Sequence, residues 1–162
     1  MEYEIIIRRS ELQQQIDLKN FYMGDSAKRI DKNADTIQSS KDDEELLCMF
    51  VKTACNELVT AVALRFPSIS YTIDDRSIIF TFDTETACRE DIIEMLRLSI
   101  IDYLVNEAIM QWLLLRRPEK AQVYFSQRGK LYNNVQFTFA KLYNRKKTRR
   151  RATNLAVIYG TA

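Results

Sequence analysis

The residues that interrupt secondary structure are nearly missing from this chain. Its 162 residues include 3 glycines and 2 prolines, and neither type occurs between Pro67 and Pro118. Glycine supplies the positive-φ positions of tight turns and proline ends helices, so a chain poor in both has few places to reverse sharply. It must build long, uninterrupted elements, which favours helix over a many-stranded fold. The same scarcity removes any glycine-rich loop that could cradle a phosphate.

Hydrophobic spacing places those elements. Tyr3, Ile5 and Ile7 alternate with polar neighbours, the pattern of a short strand. Ser10 followed by Gln13 reads as a capping box, with a helix starting at Glu11, carrying Leu12 and Ile16 inward and interrupted at Gly24-Asp25-Ser26. The polar segment 33–41 reads as a loop. Ser40 with Asp42, Asp43, Glu44 and Glu45 is a helix start, because carboxylates in a first turn meet the positive end of the helix dipole. Leu47, Val51, Ala54, Leu58 and Val62 continue at helical spacing until Phe66-Pro67. Two alternating runs follow, Ile69/Tyr71/Ile73 and Ile78/Phe80/Phe82, with Asp74-Asp75 between them, which predicts a β-hairpin over about 69–82.

From Thr86 to Arg117 nothing breaks a helix, and apolar residues occupy nearly every side of it. Such a helix belongs at the centre of a fold. Roughly 30 helical residues span ~45 Å. Asp102, Asn106, Glu107 and Gln111 lie inside its most apolar stretch, so the reading is a buried helix and not a membrane span. A carboxylate there needs a cation, and Arg97, Arg116 and Arg128 are the candidates. Pro118 suits the first position of the next helix, which carries Ala121, Tyr124/Phe125, Leu131/Tyr132, Val135, Phe139 and Leu142 inward. Gly129 in its interior reads as a kink or a close helix crossing.

The expected fold is therefore α+β and mainly α: a bundle of three main helices with one β-hairpin and extended N- and C-terminal arms. One domain would cover 1–147, and 148–162 would form a C-terminal arm.

Charge is sorted along this chain. Residues 1–110 hold 12 Lys/Arg against 21 Asp/Glu, a balance of −9, whereas residues 111–162 hold 12 against the single Glu119, a balance of +11. The densest run is Arg145, Lys146, Lys147, Arg149, Arg150 and Arg151, followed by the apolar, alternating Leu155, Val157, Ile158 and Tyr159. One end wants an anionic partner and the other could supply one.

Chemistry is more constrained than binding. The chain has no histidine, which excludes Ser-His-Asp and Cys-His catalysis and histidine-ligated zinc. Cys48, Cys55 and Cys88 lack metal-ligand spacing and are odd in number, so they read as small hydrophobes in a reducing compartment, with Cys48 and Cys55 on one helix face. Asp74, Asp75 and Asp83 flank the hairpin, where turn and cap chemistry accounts for them, with Asp83 or Thr84 capping the following helix. No cofactor, metal or small-molecule substrate is expected. Met1 opens on an alternating segment and not on a signal-peptide pattern. Arg128, Lys130 and Lys141 interleave with Tyr132, Phe137, Phe139 and Tyr143, a mixture that suits phosphate contact and base stacking, although aromatics at helical spacing are more often core. Assembly is the other reading: a basic end, an acidic end and a strand-like tail can join identical copies into a ring, the tail adding a strand to a neighbour's sheet with Tyr3–Ile7 as one acceptor.

The order of these elements resembles a known family. Tyr22-Met23-Gly24-Asp25 precedes an acidic-capped helix with Cys55-Asn56-Glu57-Leu58; the hairpin and a long helix bearing Tyr103 and Trp112 follow. The last helix opens on Glu119-Lys120-Ala121, carries Tyr124, and ends on Lys141-Leu142-Tyr143-Asn144-Arg145-Lys146-Lys147. Over roughly residues 20–151 this pattern is similar to the small head–tail connector (adaptor or neck) proteins of tailed bacteriophages and prophages. The resemblance implies a non-enzymatic virion protein, assembled in the host cytoplasm and located at the neck. It would form a homo-oligomeric ring, commonly of twelve copies, that joins the portal to tail or other neck proteins and continues the DNA channel. It further implies that Arg145–Arg151 meet portal or packaged DNA nonspecifically and that the Leu155–Tyr159 arm docks on a neighbour. The chain departs from the family pattern where it lacks a proline after the basic end and continues into a long arm.

Overall fold

The structure is a computed structural model. It describes the backbone of residues 1–30, 41–85 and 87–143, and the side chains of 1–19, 45–85 and 87–142. Among the described residues the order is β1 (Glu2–Arg8), α1 (Arg9–Ile30), α2 (Lys41–Ala63), β2 (Ser70–Ile73), β3 (Ser77–Asp83), α3 (Glu90–Arg116) and α4 (Pro118–Tyr143). The three strands form one antiparallel sheet in the order β1-β3-β2. The fold is mainly helical with a small sheet, as the sequence predicts.

The sheet is built on alternation. Ile5 and Ile7 of β1 and Ile78, Phe80 and Phe82 of β3 are all buried, and the register sets Ile5 opposite Phe80 and Ile7 opposite Ile78. Their neighbours Glu2, Glu4, Ile6 and Arg8 are exposed, so helices cover one face of the sheet only. The hairpin turn is fixed by Asp74, whose carboxylate accepts the backbone N–H groups of Arg76 and Ser77 at 2.7 and 2.6 Å and the Ser77 hydroxyl at 2.9 Å. These donors hold the Asp74 pKa below its ordinary value.

Helix α3 runs through the centre and packs against α4, α2, α1 and β1. Thirteen of its residues are buried, from Leu96 to Leu113. Aromatic contacts tie α4 to the sheet: the Phe139 ring lies 5.6 Å from Phe66 and 5.5 Å, edge-on, from Phe82. The Tyr3 hydroxyl accepts the Cys88 N–H at 2.9 Å, which joins β1 to the segment leading into α3.

Several expectations are corrected. The first helix is not a minor element: α1 runs 22 residues and passes through Gly24-Asp25-Ser26 without a break, so four long helices are present among the described residues where three main ones were expected. One interior glycine costs only about 1 kcal/mol, which a helix of this length tolerates. α1 begins at Arg9, and Gln13 donates to Asp17 one turn later at 2.9 Å instead of closing a capping box. The N-terminal segment is not an extended arm, because pairing with β3 satisfies its backbone. The residue before α3 is Arg89, extended and without a side-chain cap; Thr84 is buried and exchanges backbone hydrogen bonds with Met1 instead. Gly129 marks neither kink nor crossing: α4 is continuous, and a Cβ there would meet nothing within 4 Å. Cys55 is buried but Cys48 is exposed, and Phe125 also faces solvent. Of the predicted loop at 33–41, Lys41 instead opens α2, and the rest, with the cluster Arg145–Arg151 and the arm 148–162, lies outside the described residues.

Phe80 is fully buried between the strands and the helices. Phe80→Ala should therefore cost roughly 3–5 kcal/mol in urea unfolding. Phe137→Ala, at a 63% exposed site, should stay within about 0.5 kcal/mol of the parent. Equal losses in the two variants would contradict this packing.

Candidate interaction surface

Where α2, α3 and α4 meet, the apolar core gives way to charge. Glu107 faces inward from α3 and is 1% exposed. Its Oε1 lies 2.9 Å from Nε of Arg128 on α4, an ion pair whose N–H is not aligned for a hydrogen bond. Arg128 also donates through Nη2 to Glu57 of α2 at 2.6 Å, and its charge acts on the hydroxyl of Tyr103, one turn before Glu107. One guanidinium thus links three helices. Of the three cations the sequence offered for the buried carboxylate, only Arg128 meets it. Arg97 binds Glu94 and Glu11 instead, and Arg116 lies over the Trp112 ring at 5.6 Å. Asp102 is exposed and needs no internal partner.

Burial sets the electrostatics of this cluster. Desolvation lifts the Glu107 pKa above the ordinary carboxylate range, and the nearby Glu57 charge adds to it; Arg128 opposes the rise without cancelling it. The Tyr103 hydroxyl is pushed up to about 12, first by burial and then by the Glu107 charge. Burial pulls Arg128 down, but Glu107, Tyr103 and Glu57 together hold it above its usual value.

A shallow groove opens beside the cluster. Asn56, Glu57 and Leu64 of α2 form one wall, Arg128 and Tyr132 of α4 the other, and Tyr103 of α3 lies between them. Gly129 keeps the α4 wall low, since it carries no side chain there. Leu64 is 87% exposed at the rim. A second, smaller cleft of about 260 Å³ lies between α1, α2 and the hairpin, lined by Leu12, Ile16, Val51, Ile73 and Ile78, with Cys48 at its edge.

The structure divides the basic and aromatic residues predicted to act together on α4. Arg128 is engaged by two carboxylates, Phe139 is core and Tyr132 is half-buried against Tyr103. Lys130 is exposed, and the Lys141 ammonium sits 4.6 Å over the exposed Phe137 ring. Asp74 is engaged by its turn, and Asp83 pairs with Glu2 across the sheet. Among the described residues, no group of three or more His, Cys, Asp or Glu is placed to hold a metal ion. Sequence reading missed the Arg97–Glu11 bridge and the Asn106 amide, which donates to the Tyr124 carbonyl at 3.1 Å from a fully buried position. Its place on the all-apolar side of α3 was the one available signal.

Two described helical stretches, Glu45–Ala63 and Glu90–Arg116, are long and apolar enough to cross a membrane by length and composition, and 67% of the most apolar window of the second is buried inside the fold. No family model, curated protein or solved structure matches this chain.

The raised Glu107 pKa has a definite sign. A carboxyl that keeps its proton longer in the folded state favours folding at low pH, and this contribution is lost as pH rises through the folded value. Urea midpoints of the parent should therefore fall relative to Glu107→Gln as pH increases from about 4.3, the unfolded value, upward. Arg128→Met leaves the carboxylate unpaired and should cost roughly 2–3 kcal/mol at neutral pH, below the fully buried range because Arg128 keeps partial exposure. A parent and Glu107→Gln with parallel pH profiles would refute the assigned shift.

Proposed function

We propose that this chain is a structural assembly subunit of the phage neck, a head–tail connector that forms a homo-oligomeric ring between portal and tail and lines the DNA channel. It is a non-enzymatic virion protein without cofactor, membrane or small-molecule partner. In this reading Arg145, Lys146, Lys147, Arg149, Arg150 and Arg151 face portal or packaged DNA, and Leu155, Val157, Ile158 and Tyr159 dock on a neighbour.

The observation that carries this reading is the order of core and charge. The described residues bury a continuous apolar interior from Ile5 to Leu142, and the basic cluster and apolar tail follow it in sequence. Six cations and an alternating apolar run are groups suited to another molecule. The resemblance in element order supports the same reading.

The Phe137–Lys141 pair on the exposed side of α4 favours a second reading, a nonspecific nucleic-acid-binding protein. Six phosphate contacts would give a log–log salt slope of about −5. Light scattering on the purified protein, alone and co-expressed with its neighbours, separates the two. The connector reading expects a ring or larger complex. A monomer that shifts any duplex at low salt with that slope would replace it. Truncation after Asn144 should leave the thermal transition intact and abolish entry into the complex; an aggregated truncation product would show that the tail belongs to the core.

A further inference from the structure

Among the described residues, strand β1 is paired along one edge only. Met1 and Thr84 exchange both backbone hydrogen bonds at 2.8 Å, and the Arg9 N–H donates to the Arg76 carbonyl at 2.8 Å. In an antiparallel ladder such mutually bonded pairs recur every second residue. Tyr3, Ile5 and Ile7 therefore turn their peptide groups toward β3, opposite Phe82, Phe80 and Ile78. Glu2, Glu4, Ile6 and Arg8 turn theirs to the outer edge, where no strand lies among the described residues. The side chains of the same four residues are exposed on the wet face of the sheet. The strand has no bulge in its register with β3 and no proline, the form of edge that accepts another strand most readily.

Charge order names the occupant. Along the exposed side, β1 carries Glu2 and Glu4 at one end, then Ile6, then Arg8 at the other. The basic end is broader than the strand: Arg8, Arg9 and Arg76 line one cleft with Ser10 and Asp75, where α1 begins. The Asp74 carboxylate beside it is engaged by its own turn. Among the described residues, no ion pair involves Glu2, Glu4, Arg8, Arg9 or Arg76. A strand with opposite charges at its two ends is complementary to itself when reversed. Antiparallel pairing about a twofold axis at Ile6 sets Glu4 level with Arg8 of a second copy, Ile6 with Ile6, and Arg8 with Glu4. All of these residues turn their peptide groups outward, so each level is of the doubly hydrogen-bonded kind. Glu2 then extends past the second copy's Arg8 toward the cleft of Arg9 and Arg76. An axis at Glu4 would set two carboxylates face to face. An axis at Ile5 would match Glu2 with Arg8 but set Glu4 against Ile6. Parallel pairing in register would set every charge against its like.

We propose that two copies of this chain pair through β1 as an antiparallel, twofold-symmetric dimer centred on Ile6, which joins their two three-stranded sheets into one continuous sheet. Glu4–Arg8 ion pairs flank an Ile6–Ile6 contact, and Ile5 and Ile7, buried beneath the sheet, fall level with each other. The contact is isologous and closes on itself, which separates it from the head-to-tail contacts of a ring. It goes beyond the neck reading and does not rest on it.

The test is a charge swap on the full chain, read by sedimentation equilibrium. Glu4→Arg and Arg8→Glu each place like charges level at two symmetric positions, so each should weaken the dimer at least about tenfold. The double variant Glu4→Arg/Arg8→Glu restores both pairs with their signs exchanged, and its dissociation constant should return to within about threefold of the parent. Both sites are exposed, so each variant folds and the comparison stays readable. Equal constants in all four proteins, a double variant no better than the singles, or a parent monomeric at about 100 μM would each overturn the proposal. A cross-link locates the axis. In a Cys48→Ser background, which removes the exposed thiol, Ile6→Cys should form disulfide-linked dimers under mild oxidation at least about tenfold faster than Thr72→Cys, because level bonded residues lie ~5.5 Å apart at Cα, within disulfide reach. Thr72 is an exposed control on β2, the other edge strand. Equal rates would contradict the pairing. In hydrogen exchange, protection of the Glu4 and Ile6 amides should rise with protein concentration while that of Ile5, bonded to β3, does not. Protection at Glu4 and Ile6 independent of concentration would assign the edge to another part of the same chain and overturn the dimer. Ring assembly, read by light scattering, succeeds or fails independently of the cross-link.

Discussion

Helix α3 has no face to offer water over most of its second half. From Ile100 to Leu113 every residue is buried except Asp102 and the half-buried Gln111. Such a segment is stable only when enclosed, and the rest of the structure is arranged around that requirement: α4 and α2 cover it on two sides, while α1 and β1 pack against it elsewhere. The sheet is small because its task is limited. It supplies one apolar face, built from Ile5, Ile7, Ile78, Phe80 and Phe82, and leaves the opposite face wet.

Enclosure of α3 has a costly feature in the Glu107 carboxylate. Removing it from water is unfavourable, and one guanidinium compensates by reaching it from α4 while also binding Glu57 of α2. Because Arg128 bridges all three helices, the cluster ties their relative positions to a single side chain. That role accounts for an α4 arginine that would otherwise read as part of a nucleic-acid surface. Glu107 and Arg128 are 21 residues apart in sequence, and Glu57 is 50 residues before Glu107, so the network exists only once the bundle has closed.

The candidate interaction surfaces differ in how far they could be read in advance. Alternation in 69–82 contains its own answer, since a period of two with Asp74 between the runs fits few structures other than a hairpin. The centrality of α3 follows from apolar residues on every side. The α4 aromatics follow the same logic: Phe137 and Phe139 lie two residues apart, about 200° around a helix, so the period that puts Phe139 in the inward stripe leaves Phe137 outside it, and in the fold one is solvent-facing under Lys141 and the other is core against Phe82. The N-terminal strand is the ambiguous case: its alternation was evident, but a strand without a visible partner reads as an arm until pairing with β3 is known.

Sequence alone determined the mainly helical character, the hairpin, the buried character of α3 and the separation of acidic from basic halves. These follow from local quantities: turn residues, hydrophobic period and charge along the chain. Tertiary structure decided which of three arginines meets Glu107, that Gly24 and Gly129 interrupt nothing, that Cys48 faces solvent while Cys55 does not, and that β1 pairs with β3. Each of these depends on what stands opposite a residue in space, and no local pattern encodes a neighbour brought from tens of residues away.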